Sequence, residues 1–133
     1  MSAGELSSLE ALNSSELTYE EVVSFAQNGF DEAEFGRTEF TALRCQRTYY
    51  NKIFMHMDKL IDGPMTRYHF KEAAELFKAA CTYFKELGYR YVFIYIPEED
   101  IKIFKYATGL GFIPIQELHD QTRVHTFILR KEI

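Results

Sequence analysis

Cysteine is scarce in this sequence, and clustered cysteine is missing altogether. Cys45 and Cys81 stand 36 positions apart and outside any Cys-x-x-Cys pair. This excludes a disulfide framework and a thiolate metal site, and it suits a reducing, intracellular setting. Staples are not needed either, since a single core becomes marginal only below about 70 to 80 residues and this chain has 133. His56, His69, His119 and His125 show no metal-like spacing with one another or with the cysteines, and a site needs several converging ligands, so no metal is expected. Long apolar runs are lacking too. The longest covers six residues, 91–96, against roughly 18 for a bilayer span. Residues 1–16 are polar and acidic, without the basic start and apolar block of a secretory leader. A soluble chain with no signal peptide and no membrane contact is expected.

An excess of positive charge is also missing. The net charge is −5, and residues 1–39 hold nine acidic groups against Arg37 alone, whereas residues 40–133 hold 14 basic against 11 acidic. An acidic front and a mildly basic body argue against a dedicated nucleic-acid binder, whose affinity comes from several Lys and Arg meeting phosphates. Arg44, Arg47, Lys52 and Arg67 are the residues such a reading would need, and the first three read more simply as an exposed helical face. With 47% hydrophobic and 16% aromatic residues, the composition is that of one globular domain.

Residues 1–17 read as a mobile acidic tail, and residues 18–133 as a single domain. Thr18 and Glu21 form a Thr-x-x-Glu capping box for a helix that Gly29 ends. Residues 30–39 read as an acidic, aromatic connection. From residue 38 to 61 the spacing of Leu43, Tyr50, Phe54, Met57 and Ile61 predicts a helix. Strands are the alternative there, with residues 53–58 the piece that switches first. Asp62-Gly63-Pro64 is a break. Thr66 then caps a helix carrying Phe70, Ala73, Phe77, Ala80, Phe84 and Leu87 toward the core, and Gly88 closes it. Residues 91–96 are apolar at every position, as a strand covered on both faces requires, and Pro97 ends it. Glu98, Glu99 and Asp100 place negative charge at the start of a helix that runs to Gly109. Residues 112–118 and 123–131 read as a hairpin, with His119-Asp120 in its turn. The fold class is α+β: a small mixed sheet of three or four strands, packed with helices and helical in its N-terminal part.

This order, together with Ile103-x-x-Tyr106-Ala-Thr-Gly-Leu-Gly111-Phe112, resembles the C-terminal half of the GCN5-related N-acetyltransferase superfamily, over residues 66–133. A weaker echo at residues 22–34 resembles the first helix of phage-encoded members, and small internal virion proteins of tailed phages show a similar C-terminal arrangement. The resemblance implies acetyl-CoA as the acyl donor, held at its pyrophosphate by a glycine loop before the long helix, where glycine lets backbone N–H groups approach phosphate. That loop here is Asp62-Gly63-Pro64-Met65-Thr66. One glycine remains, Pro64 removes a donor and Asp62 repels phosphate, leaving Gly63, Thr66, Arg67 and His69 as the candidate cofactor ligands. The tyrosine that protonates the departing thiolate in the family falls five positions before the Phe, which is Ala107 here. Tyr106 is adjacent but about 100° around the helix, and with Tyr95 it is the candidate for chemistry. The resemblance also implies three strands before the long helix, the last splaying from its neighbour to admit the pantetheine arm. Residues 39–64 leave little room for these.

Two readings follow. In the first, the chain is a reduced member that has lost acetyl transfer, needs no cofactor, and acts by binding a protein partner or itself inside a host cell or virion. Its surface would be the aromatics without a place in a small core: Phe30, Phe35, Phe40, Tyr49 and Tyr68. In the alternative it is an acetyl-CoA-dependent N-acyltransferase with a non-standard loop.

Overall fold

The computed structural model describes residue 17 and residues 32–47, 52–119 and 125–133. These form β1 (Glu32–Arg37), β2 (Thr41–Arg47), β3 (Ile53–Lys59), α1 (Arg67–Glu86), β4 (Tyr91–Pro97), α2 (Ile101–Gly109), β5 (Ile113–His119) and β6 (His125–Glu132). The Thr18–Glu21 capping box, Phe30, Tyr49 and the hairpin turn at residues 120–122 lie outside the described residues.

One mixed sheet carries all six strands in the order β1-β2-β3-β4-β6-β5. Antiparallel pairing joins β1, β2 and β3, while β6 lies between β4 and β5 and is antiparallel to both. Between these two halves β3 and β4 run parallel, with α1 as the crossover that a parallel connection requires.

The helix expected over residues 38–61 is instead β2 and β3, and β1 occupies part of the expected connection, so the sheet has six strands rather than three or four. Alternation is the cause. In β3, Ile53, Met55 and Met57 pack under the helices, while Phe54 joins Phe93, Ile128 and Leu17 on the opposite face. Because both faces are apolar, Leu43, Phe54 and Met57 fall at helical spacing although they belong to two sides of a sheet. Thr38 organises the turn between β1 and β2: its Oγ1 accepts from the Phe40 and Thr41 backbone N–H groups at 3.1 and 3.0 Å. A bulge between Glu34 and Gly36 bends β1, and a Cβ on Gly36 would sit 3.1 Å from Leu76 Cδ1, so α1 presses directly onto this strand.

Both helices cover the same face. Ala73, Phe77, Ala80 and Phe84 of α1 are buried, as their spacing predicts, but Leu87 at its end is 55% exposed. Gly88, at φ 101°, lets the chain turn out of the helix, and the Tyr89 N–H returns to the Phe84 carbonyl at 3.0 Å. The end of α2 obeys the same logic. Gly111 takes φ 98°, the Phe112 N–H reaches the Ala107 carbonyl at 3.1 Å, and the Phe112 ring enters the core against Phe77. Thus Gly-Phe reverses the chain and anchors the start of β5. Among the described residues no helix is long and apolar enough to cross a membrane.

Candidate active-site cleft

The parallel pair at the centre of the sheet is barely a pair. β3 and β4 share one bridge, Phe54 with Phe93, whereas β2 and β3 run in register over their whole length. Phe54 and Phe93 lie near the starts of their strands, so the strands separate toward their carboxyl ends. The facing edges beyond the bridge carry no further ladder pairing among the described residues. Backbone N–H and C=O groups left in this way require a partner, and an extended chain bearing amides is the natural one.

A cavity of about 290 Å³ fills the opening. Met55, Met57 and Lys59 of β3 form one wall, and Ile94, Ile96 and Pro97 of β4 the other. Phe70, Ala73 and Phe77 of α1, with Ile103, Tyr106 and Ala107 of α2, close the helical side. The site lies at the carboxyl ends of parallel strands and beside the start of α1, where open sheets that contain helices place their ligands.

His56, Lys59, Tyr95, Asp100 and Tyr106 are the polar residues that line this apolar space. Tyr106, one of the two tyrosines singled out in the sequence, donates its hydroxyl to the Phe70 carbonyl at 2.6 Å and packs its ring 4.8 Å from that of Phe70. Burial pushes this hydroxyl up to about 12, so it stays protonated at neutral pH. Ala107, at the family's tyrosine position, is buried beside it. His56 and Tyr95 also line the cleft, on strand positions that alternate with Met55, Met57, Ile94 and Ile96 and so belong to the sheet face away from the helices. Their rings stack at 5.6 Å and 14°. His56 Nε2 lies 3.2 Å from Asp58 Oδ1, and Arg44 clamps Asp58 through Nε at 2.6 Å and a second nitrogen at 3.2 Å. A histidine oriented by a fixed carboxylate is a competent general base. The helical reading of residues 38–61 hid it; the alternation of His56 and Asp58 with Met55 and Met57 was the signal that places both on one strand face.

The loop after β3 is less accommodating. Gly63 takes φ 84° with open space where a Cβ would stand. The Lys59 ammonium binds the Gly63 carbonyl. Thr66 caps α1, and its partner is His69: the Thr66 N–H donates to His69 Nδ1 at 3.0 Å, and the His69 N–H donates to Thr66 Oγ1 at 3.4 Å. Two of the donors nearest the helix start are therefore consumed within the protein. Arg67 is exposed.

The remaining sequence candidates do not converge. Phe35 packs on Tyr83 and Phe84, whereas Phe40 and Tyr68 meet each other at 6.1 Å beside His69, so the aromatics occupy two separate places. Hydrogen bonding to Glu72 raises the Tyr68 hydroxyl. The basic face read from Arg44, Arg47 and Lys52 is not assembled: Arg44 holds Asp58, and Lys52 is 2% exposed with its ammonium over the Phe93 ring. Asp100 caps α2 without a side-chain hydrogen bond, and Glu98 lies 3.1 Å from His125. Cys45 is buried, which pushes its thiol up to about 12. Among the described residues no cluster of His, Cys, Asp and Glu is placed to hold a metal.

No protein-family model matches this sequence, and neither does any curated protein. Solved structures do. An N-acetyltransferase from Staphylococcus aureus Mu50 superposes with TM-score 0.56 at 12% identity over 70% of this chain and 60% of its own. A probable acetyltransferase from Staphylococcus epidermidis gives 0.57 at 13%, over 70% and 60%. A mutant spermidine N-acetyltransferase from Vibrio cholerae gives 0.58 at 7%, over 84% and 70%. The fold is that of the N-acetyltransferases. Within this acetyltransferase-like fold the chain spans only about three fifths of the staphylococcal structures. The likeness carries the GCN5-related resemblance at the level of fold.

Proposed function

We propose that this protein is an N-acyltransferase that draws its acyl group from a pantetheine thioester. The observation that carries this reading is the separation of β3 from β4 beyond a single bridge, which leaves strand edges and an apolar cleft of about 290 Å³ for an extended, amide-bearing arm. The arm lies between the strands and presents its thioester beside His56 and Tyr106. The amine nitrogen attacks the thioester carbonyl carbon, His56 takes the amine proton, and the C–S bond breaks. The departing thiolate receives a proton from Tyr106, whose hydroxyl is protonated at working pH. Positioning in a dry cleft supplies most of the rate gain.

Titration with S-acetyl-pantetheine and acetyl-CoA, followed by assay of acetyl transfer to primary amines, tests this reading. Binding and transfer are expected, with His56→Gln lowering transfer about 10²- to 10⁴-fold while donor binding is kept. Absence of binding to both donors removes the proposal.

A second reading, a binding role without transfer, is favoured by the loop at Asp62-Gly63-Pro64 and by Ala107 at the family's tyrosine position. It would bring the chain closer to the internal virion proteins that its C-terminal half resembles. Absence of both donor binding and transfer to any amine is its expected outcome, and micromolar binding of coenzyme A counts against it.

A further inference from the structure

Residues that face one another across β2 and β3 share a side of the sheet, and in this register Arg44 stands opposite His56. Asp58 follows His56 by two positions, so it lies on the same side, within the diagonal reach of a long side chain on the neighbouring strand. Arg44 grips it with two nitrogens, Nε on Oδ2 at 2.6 Å and Nη2 on Oδ1 at 3.2 Å. A two-point hold fixes the plane of the carboxylate as well as its position. Oδ1 also meets His56 Nε2 at 3.2 Å. The Tyr95 ring lies over the imidazole at 5.6 Å and 14°, from a strand whose backbone is no longer paired with β3 at this point. Such a stack covers a face of the imidazole and leaves open its edge, where the nitrogen lone pairs lie. The side chains of Arg44, Asp58 and His56 are 37%, 34% and 40% exposed. Water screens charges at that exposure, so the worth of the arrangement lies in the direction it gives the imidazole rather than in the strength of the ion pair.

A neutral imidazole carries its proton on one nitrogen and offers the other as acceptor. A carboxylate only accepts, so Asp58 favours the proton on Nε2 and leaves the lone pair on Nδ1. We infer that Arg44 is a positioning residue: through Asp58 it fixes the Nε2–H tautomer of His56 and so makes Nδ1 the atom that receives the amine proton. This rests on the acyltransferase reading and deepens it. As the amine nitrogen bonds to the acyl carbon and the C–S bond breaks, one amine proton passes to Nδ1. The imidazolium keeps its Nε2–H on Asp58 and gives the Nδ1 proton to water once the product has left. Arg44 itself touches neither donor nor amine. Without it the carboxylate keeps its charge but loses its fixed plane, the imidazole exchanges tautomers, and only part of the molecules present a lone pair to the amine.

Long-range proton–nitrogen NMR spectra of the ¹⁵N-labelled full chain, taken at about pH 8.5 where an ordinary imidazole is neutral, test the inference together with steady-state acetyl transfer from S-acetyl-pantetheine to primary amines. The His56 signals are assigned by their loss in His56→Gln. In the unaltered chain Nε2 is expected to carry the proton and Nδ1 to show the shift of a bare ring nitrogen. Arg44→Gln is expected to move both nitrogens toward the average of the two tautomers and to lower kcat at least tenfold while the KM for the donor stays unchanged. Arg44→Lys, which keeps a cation on Asp58 without the two-point hold, is expected to fall between the two, and with the unaltered chain it decides the matter should Arg44→Gln not fold. A proton on Nδ1 in the unaltered chain, or Arg44→Gln signals and kcat equal to those of the unaltered chain, overturns the inference and leaves the acyltransferase reading in place. Absence of transfer by the unaltered chain to any amine overturns both.

Discussion

Ala107 lies at the floor of the cleft and is 3% exposed. Replacing it with Leu asks whether the space beside it is real. The cavity of about 290 Å³ corresponds to about ten waters at ~30 Å³ each, far more than the three carbons added. Burying those carbons at ~0.8 kcal/mol each contributes about 2.4 kcal/mol. Fixing the leucine rotamer costs about 0.5–1 kcal/mol, which leaves a gain of about 1.5 kcal/mol. For a domain of this size that is a rise of about 5 °C in Tm. In a filled core the same change forces neighbours off their rotamers and costs about 1–3 kcal/mol, so the sign of the effect decides. Ala80 is the control: it is 0% exposed on the same sheet-facing side of α1, and Ala80→Leu is expected to destabilise by about 1–3 kcal/mol. Urea and thermal unfolding of both variants, with S-acetyl-pantetheine titration of the first, make the measurement. Ala107→Leu should gain stability and lose donor binding at least tenfold. A loss of stability comparable to that of Ala80→Leu would show the cleft to be closed and refute the argument built on it.

Two further outcomes come from the same geometry. The Tyr106 hydroxyl is raised by burial to about 12 from an unfolded value near 10, so its contribution to stability is complete below pH 10 and is lost as pH rises toward 12. Tyr106→Phe should flatten that part of the stability–pH curve, and an unchanged slope in equilibrium unfolding would contradict the buried hydroxyl. Gly111 has φ 98°, and a Cβ there would meet Lys131 Nζ at 2.7 Å. Gly111→Ala should therefore lower stability by about 1–2 kcal/mol, and a neutral effect in urea unfolding would mean that the turn before Phe112 needs no left-handed residue.

The C-terminal half was legible from residue spacing. Ala73, Phe77, Ala80 and Phe84 mark one face of α1, and the unbroken apolar run of β4 marks a strand covered on both sides. Thr66 and Gly88 punctuate α1 as their chemistry requires, although the capping partner is His69 rather than an acidic residue. Residues 38–61 were not legible as a sheet, because two apolar faces at period two and one at period 3.6 select overlapping positions over so short a stretch. His56 and Asp58 were lost with them. Their pairing needed β3 to be a strand and β2 to lie beside it with Arg44 opposite His56. The number of aromatics was visible in the sequence but their placement was not: Phe35 and Phe40 pack at different ends of α1.

By itself, then, the sequence determined the α+β class, the helix–strand–helix–strand–strand order of the second half and the poverty of the phosphate loop. All of these are local facts of spacing, capping and side-chain chemistry. Only the tertiary structure decided that β3 exists, that it meets β4 at one bridge and then leaves it, and that His56, Tyr95 and Tyr106 face the gap. Whether two strands stay paired is settled by what packs above and below them. Here α1 and α2 cover the sheet without drawing its central pair together, and no local pattern in β3 or β4 records that separation.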